Sequence, residues 1–263
     1  MKVIRNYLYN VGYQVLAIIV PLITSAYVAR VLRPEGVGAN AFTNSVIQYF
    51  ILFASMGIGY YGNRQIAYVR ENQQKMANTF WEIQIVKTIM TLTAFIAFEV
   101  FMAFYTKQPE YMWAQSINLV AVAFDISWFY EGIEDFKVTV LKNSFVKIVS
   151  MIAIFIFIKG PNDVTLYIAV LAISTLLGNL TLWPNIKRDL PKVNLKMLNP
   201  WPHFLPMIEL FVPQIAIQVY VQLNRTMLGV MVNETSAGFY QYSDNLVKMT
   251  LALVTATGTV MLP

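Results

Sequence analysis

The sequence predicts an all-α, polytopic bundle of transmembrane helices, and three observations predict it. Of 263 residues, 57% are hydrophobic and only 13% are charged, whereas a soluble domain carries about 25% charged residues. Mean hydropathy is +0.54. The apolar residues are also blocked rather than scattered, with runs at 15–23, 85–104 and 152–158 that hold few or no charges. A helix needs about 20 mostly apolar residues to cross roughly 30 Å of hydrocarbon.

Eight spans follow in order: residues 7–29, 38–61, 79–105, 113–130, 143–158, 166–183, 204–230 and 237–262. Pro34, Gly36 and Gly38 mark a turn between the first two, and Gly160-Pro161-Asn162-Asp163 marks another before the sixth. Trp81, Trp113, Trp128, Trp183 and Trp201 fall near span ends, where the amphipathic indole favours the membrane interface. The N-terminal stretch carries Lys2 and Arg5, but its apolar run outlasts a signal-peptide core and meets no small-residue cleavage site, so it reads as a retained first span.

Basic residues set the expected orientation. Lys2, Arg5, Arg64, Arg70, Lys75, Lys137, Lys142, Lys147, Lys187, Arg188, Lys192 and Lys196 fall on one side; Arg30, Arg33, Lys107 and Lys159 fall on the other. Positive residues mark cytoplasmic loops, so the N-terminus is expected in the cytoplasm and the chain in the cell membrane. The same loops account for the net charge of +5 without nucleic acid.

The organisation expected is a six-helix lobe (1–184), a cytoplasmic linker (185–203) and two helices of a second lobe (204–263). A weak repeat supports it, since residues 38–44 resemble residues 238–244. Spans one and seven each carry a mid-span proline (Pro21, Pro213) and an outer arginine (Arg30, Arg225). Parallel repeats about the membrane normal build several transporter folds. Span eight ends without closing charges, as expected of a cut inside a longer protein.

Enzyme chemistry finds no motif. Cysteine is absent and His203 is the sole histidine, which excludes disulfides and thiolate metal sites. No HExxH, GxSxG or P-loop pattern occurs, so no cofactor is expected. His203, at the start of span seven beside Pro202 and Trp201, reads as an interfacial side chain.

The informative pattern is polar striping. Asn40, Asn44 and Gln48 recur at i, i+4, i+8 in span two; Gln214, Gln218, Gln222 and Arg225 do so in span seven. Span one carries Asn10 and Gln14, with Ser25 further along; span eight carries Gln241, Asp244, Asn245 and Lys248. Residues so spaced share a helix face, and polar faces avoid lipid. They either hydrogen-bond between helices or line a water-filled cavity between spans one, two, seven and eight. Of the ionisable residues, Arg225 has the fork geometry for a phosphate or snorkels outward. Asp244 and Lys248 are placed to pair at i, i+4. Asp125 in span four pairs with a cation or binds a coupling ion, and Lys87 is expected to snorkel.

Several segments resemble a known family. Residues 29–38, read from Ala29 to Gly38, resemble the "ARVLGPEGYG" turn of oligosaccharide flippases, the Wzx-like polysaccharide biosynthesis proteins of the MATE/MOP superfamily. Residues 62–67 are similar to that family's G-x-R-E-I-A stretch, and residues 125–136 to its "DxxWFFQGxEDF" segment. Residues 174–180 with Trp183-Pro184, 212–216 and 258–263 fit its spans six, seven and eight. The chain departs at Asn224, where the family often has aspartate, and at Arg33, where it often has glycine.

The resemblance implies a flippase that exports undecaprenyl-pyrophosphate-linked repeat units for capsule, exopolysaccharide or O-antigen by alternating access. Arg225, with Lys248 or Arg30, would attract the pyrophosphate; Gln214, Gln218, Gln222, Asn44 and Gln48 would hydrogen-bond sugars. Partners expected are that lipid-linked substrate, membrane lipids and polysaccharide polymerase or assembly proteins. Alternatives are a cation-coupled multidrug exporter of the same superfamily, which would want acidic cavity residues, and a membrane glycosyltransferase using the same carrier, which would want a carboxylate pair. A nonfunctional fragment is a further one.

Overall fold

A computed structural model describes the backbone of residues 2–105 and 107–261, and side chains within these apart from 2–18, 187–189, 195, 249 and 252–261. Asn10 and Gln14 therefore lie outside the described side chains. Among the described residues every regular element is helical.

Helix α1 (Lys2–Ser55) holds most of the first two expected spans and breaks at Arg33 (φ 61°, ψ 172°). The expected turn at residues 34–38 is thus compressed into one residue. Pro34 opens the second limb, where its missing N–H costs nothing, and Gly36 and Gly38 are helical. A second break at Met56 and Gly57, both with positive φ, separates α2 (Ile58–Val69). Span two therefore ends at Ser55 rather than at residue 61.

Helix α3 (Gln73–Phe104) starts with an N-cap, the Asn72 side chain accepting from Lys75 N; such caps are worth about 1 kcal/mol. The fourth expected span is split into α4 (Pro109–Phe124) and α5 (Ser127–Gly132). Asp125 causes the split. Its backbone is extended, and its Oδ1 accepts from Ser127 N at 3.0 Å and Ser127 Oγ at 2.6 Å, offering the chain an alternative to helix continuation.

Helix α6 (Phe136–Phe157) begins seven residues ahead of the expected residue 143. Lys137 and Lys142 suggested a loop, but both are helical, and Lys142 turns inward. Helix α7 (Val164–Leu180), the short α8 (Trp183–Asp189), α9 (Trp201–Met231) and α10 (Glu234–Met261) complete the chain.

Among the described residues five segments are long and apolar enough to cross a membrane: Ile19–Val69, Gln73–Phe104, Phe136–Phe157, Val164–Ile186 and Trp201–Met231. The first contains the later part of the first limb, the second limb and α2. At 1.5 Å per residue α6 is about 33 Å long, enough to span, whereas α4 reaches only about 24 Å. Apolar side chains stand outward along single faces: Leu92, Ile96 and Val100 on α3, Ile152 and Ile156 on α6, Ile173, Leu177 and Leu180 on α7 are all exposed. In water this pattern would be costly; against lipid tails it is the expected outer surface. The chain is a multi-pass membrane protein.

Three buried clusters hold the bundle. One, around Phe80, Trp128, Phe129 and Tyr130, joins α2, α3, α5 and the start of α9. A second packs Val28, Leu32 and Val37 of α1 on Ile154 of α6 and Ile168 of α7. A third packs Ile47 and Ala54 on Phe98, Met112 and Leu119. The most extensive contact between described helices is α1 with α10, which packs the first helix against the last.

Candidate functional site

Described members of the stripes frame two chambers, where the sequence suggested one cavity. The first, about 370 Å³, is lined by Gln48, Ser55, Lys87, Asp125, Glu131, Gln214 and Gln218 among apolar neighbours. It lies beside the 56–57 break. The second, about 340 Å³, is lined by Asn40, Asn44, Gln115, Asn118, Arg225, Gln241 and Asn245, with Tyr167 and Tyr242. Asn44 and Gln48 are one helical turn apart on the same limb and serve different chambers.

In the first chamber the charges are mutually engaged. Asp125 Oδ1 lies 3.7 Å from Lys142 Nζ, and Lys142 donates to Ser127 Oγ at 3.0 Å. Lys87 does not snorkel as expected: it is 4% exposed and donates to the backbone carbonyl of Asp125. The break after α4 explains it, since a carbonyl there needs a donor from outside the helix. Glu131 accepts from Asn63 Nδ2 at 3.4 Å.

In the second chamber the cation is Arg225. Its Nη2 donates to Asp244 Oδ2 at 2.6 Å and its Nη1 to Gln222 Oε1 at 3.3 Å. Lys248 Nζ reaches the same Asp244 oxygen at 2.7 Å. Two cations thus share one carboxylate, Arg225 from a side chain 11% exposed and Lys248 from one 55% exposed. Arg225 Nε is buried without a partner, as is Tyr242 OH. Buried unpaired donors are costly, and both residues line the chamber.

The expected residues divide accordingly. Gln48, Gln214, Gln218 and Asp125 line the first chamber, and Asn40, Asn44 and Arg225 the second. Gln222 is buried behind Arg225 as its acceptor. Asp244 and Lys248 line neither chamber; Asp244 accepts from the guanidinium, and Lys248 donates to Asp244. Arg30 is exposed on the first limb and lines neither. Asn224 donates to Tyr240 OH at 2.9 Å, linking α9 to α10 where the family often has an acid.

Two features escaped the sequence reading. Gln115 on α4 binds the span-two amides, with Asn44 Nδ2 3.4 Å from its Oε1 and its own Nε2 3.1 Å from Asn40 Oδ1, and Asn118, one turn on, donates to Gln115 Oε1 at 2.9 Å. Their i, i+3 spacing was a usable signal. His203 is also more than interfacial: its Nδ1 pairs with Tyr61 OH at 2.7 Å and its Nε2 with Glu82 at 2.9 Å, pinning the start of α9 to α2 and α3. Among the described residues no cluster of three or more His, Cys, Asp or Glu could hold a metal.

Lipid-facing helices around amide-lined chambers define a multi-pass membrane protein with a hydrophilic interior. Residues 3–263 match the family model described as polysaccharide biosynthesis protein, and the chain belongs to that family. A relative from Escherichia coli (strain K12) is 22% identical over 92% of this chain and 60% of its own length. Another from Shigella dysenteriae is 20% identical over 92% of this chain and 62% of its own length. Both carry the name "Putative O-antigen transporter". The chain thus spans less than two thirds of these relatives. No solved structure matches it.

Proposed function

We propose that this chain is the larger part of a flippase that carries undecaprenyl-pyrophosphate-linked oligosaccharide repeat units across the cytoplasmic membrane by alternating access. Arg225 carries this reading. It is a cation that lines the chamber among amides, and Lys248 shares its Asp244 carboxylate. Such a group suits a diphosphate oxygen, because charge-assisted hydrogen bonds are about twice as strong as neutral ones. The surrounding amides suit sugar hydroxyls.

An apolar slot of about 360 Å³ supports the lipid part. Leu22, Ala26 and Ala29 of α1 and Leu246 of α10 line it, and it shares Ser25, Tyr242 and Asn245 with the Arg225 chamber. A polyprenyl chain in this slot would stay in contact with lipid while its headgroup occupied the chamber. The N-terminus and the α2–α3 connection would lie in the cytoplasm, as the basic residues suggest. The multidrug-exporter reading is disfavoured because Asp125 and Asp244 are each already matched to lysine or arginine.

The test replaces Arg225 with alanine in the full-length parent and measures cell-surface polysaccharide at matched protein levels. Loss of export is expected. Normal export would remove Arg225 from the mechanism.

A further inference from the structure

Amide side chains can present either end to a ligand, but in the Arg225 chamber one buried hydroxyl removes the choice. Thr43 is fully buried, and its single hydroxyl proton is spent on Ala39 O, one turn back, at 2.8 Å. Its oxygen can then only accept. The Gln115 group 3.4 Å from it must be the NH₂, and Gln115, 1% exposed, has no water to compensate a reversed placement. The same Nε2 donates to Asn40 Oδ1 at 3.1 Å. On its other side Gln115 Oε1 accepts from Asn118 Nδ2 and Asn44 Nδ2.

Each bond fixes the opposite end of a chamber-lining amide. Asn40 has its oxygen engaged and keeps a nitrogen donor for the chamber. Asn44 and Asn118 each spend one N–H on Gln115, which leaves the oxygen as their acceptor and one N–H over. We propose that Thr43, acting through Gln115, sets the hydrogen-bond polarity of this chamber. It thereby selects a glycosyl group whose hydroxyls donate to Asn44 and Asn118 and accept from Asn40. The proposal rests on the sugar-carrying role of this chamber and adds which end of each amide the sugar meets. A phosphate oxygen meets two carbonyl oxygens on this wall, so its charged donor lies at the Arg225 side. Thr43 and Gln115 are positioning residues.

A fluorine scan tests this, because fluorine replacing a hydroxyl can accept but not donate. The probes are methyl glucoside and its deoxy and deoxyfluoro derivatives at each ring position, with binding to the full-length protein in nanodiscs followed by saturation-transfer NMR. At two positions the fluoro and deoxy forms should both weaken binding about tenfold; at one, fluorine should be tolerated and hydrogen not. Thr43→Val, which lets Gln115 turn over, should erase this distinction, and Thr43→Ser should restore it. Retention of the wild-type pattern in Thr43→Val, or tolerance of fluorine at every position, would overturn the proposal while leaving the sugar-carrying reading in place. If Thr43→Val does not fold, the wild-type fluorine pattern decides alone. Failure of any glycoside to bind the wild-type protein would defeat both the sugar-carrying reading and the proposal.

Discussion

Gly38 of α1 and Gly238 of α10 meet backbone to backbone. A Cβ added at Gly238 would lie 3.0 Å from Gly38 N and overlap the Pro34 carbonyl, and one added at Gly38 would overlap the Glu234 carbonyl. The pair occupies the matching position of the two similar heptapeptides, 200 residues apart. Gln108 Nε2 donates to Glu234 Oε2 at 3.2 Å close by, a further tie to the start of α10. Backbone atoms cannot swing aside, so Gly238→Ala should cost about 1–3 kcal/mol through overpacking. Thermal unfolding of the purified protein should show a lowered Tm; an unchanged Tm would mean the two helix ends are free to separate.

Arg33 holds a backbone conformation that glycine adopts freely, at φ 61° and ψ 172°. Such positions cost a side-chain-bearing residue about 1–3 kcal/mol. Arg33 is also the position where the resembling turn has glycine. Arg33→Gly should therefore raise the Tm, with the strain relief outweighing the added unfolded-state entropy. A lowered Tm would show that the guanidinium contributes more than the strain removes.

These two sites show how much was legible in the sequence. Helix type, membrane class and inward polar faces follow from composition and from 3.6-residue spacing. The break at Arg33 was expected at residues 34–38 because Pro and Gly are the visible turn formers, while a non-glycine residue at positive φ leaves no compositional mark. The split of the cavity into two chambers was not legible, since Asn44 and Gln48 follow one stripe and only packing assigns them to different spaces. Lys87 was misplaced because spacing showed its depth but not the free carbonyl that α4 exposes by ending at Phe124. Gln115 was overlooked beside longer stripes.

Asp163 predicts a pH effect outside the spans. Its Oδ2 accepts from Lys159 N and Gly160 N, each at 2.8 Å, and these backbone hydrogen bonds hold its carboxyl below the usual carboxylate range. A depressed folded-state pKa means the stabilisation is fully present above the unfolded value of about 3.9. It is lost as pH falls from there through the folded pKa. Below about pH 4 the wild-type protein should therefore lose Tm more steeply than Asp163→Asn. Parallel slopes would show that the carboxylate makes no net contribution to the loop.

The slot between α1 and α10 predicts a variant that separates lipid from sugar. Ala26→Trp would fill much of its 360 Å³. Export should fall about tenfold while methyl glucoside binding in nanodiscs stays unchanged. Equal loss of both would mean the slot and chamber act as one site, and loss of neither would remove the slot from the lipid path.

The central claim is that Arg225 receives the diphosphate of a lipid-linked oligosaccharide. Its most direct test measures movement of undecaprenyl-pyrophosphate-linked oligosaccharide across proteoliposome membranes by the full-length protein and its Arg225→Ala variant. A charge-assisted hydrogen bond contributes about 1.5–3 kcal/mol, so the variant should flip at least about tenfold more slowly, with Arg225→Lys between the two. A wild-type rate for Arg225→Ala, with correctly folded protein at equal density, would contradict the account.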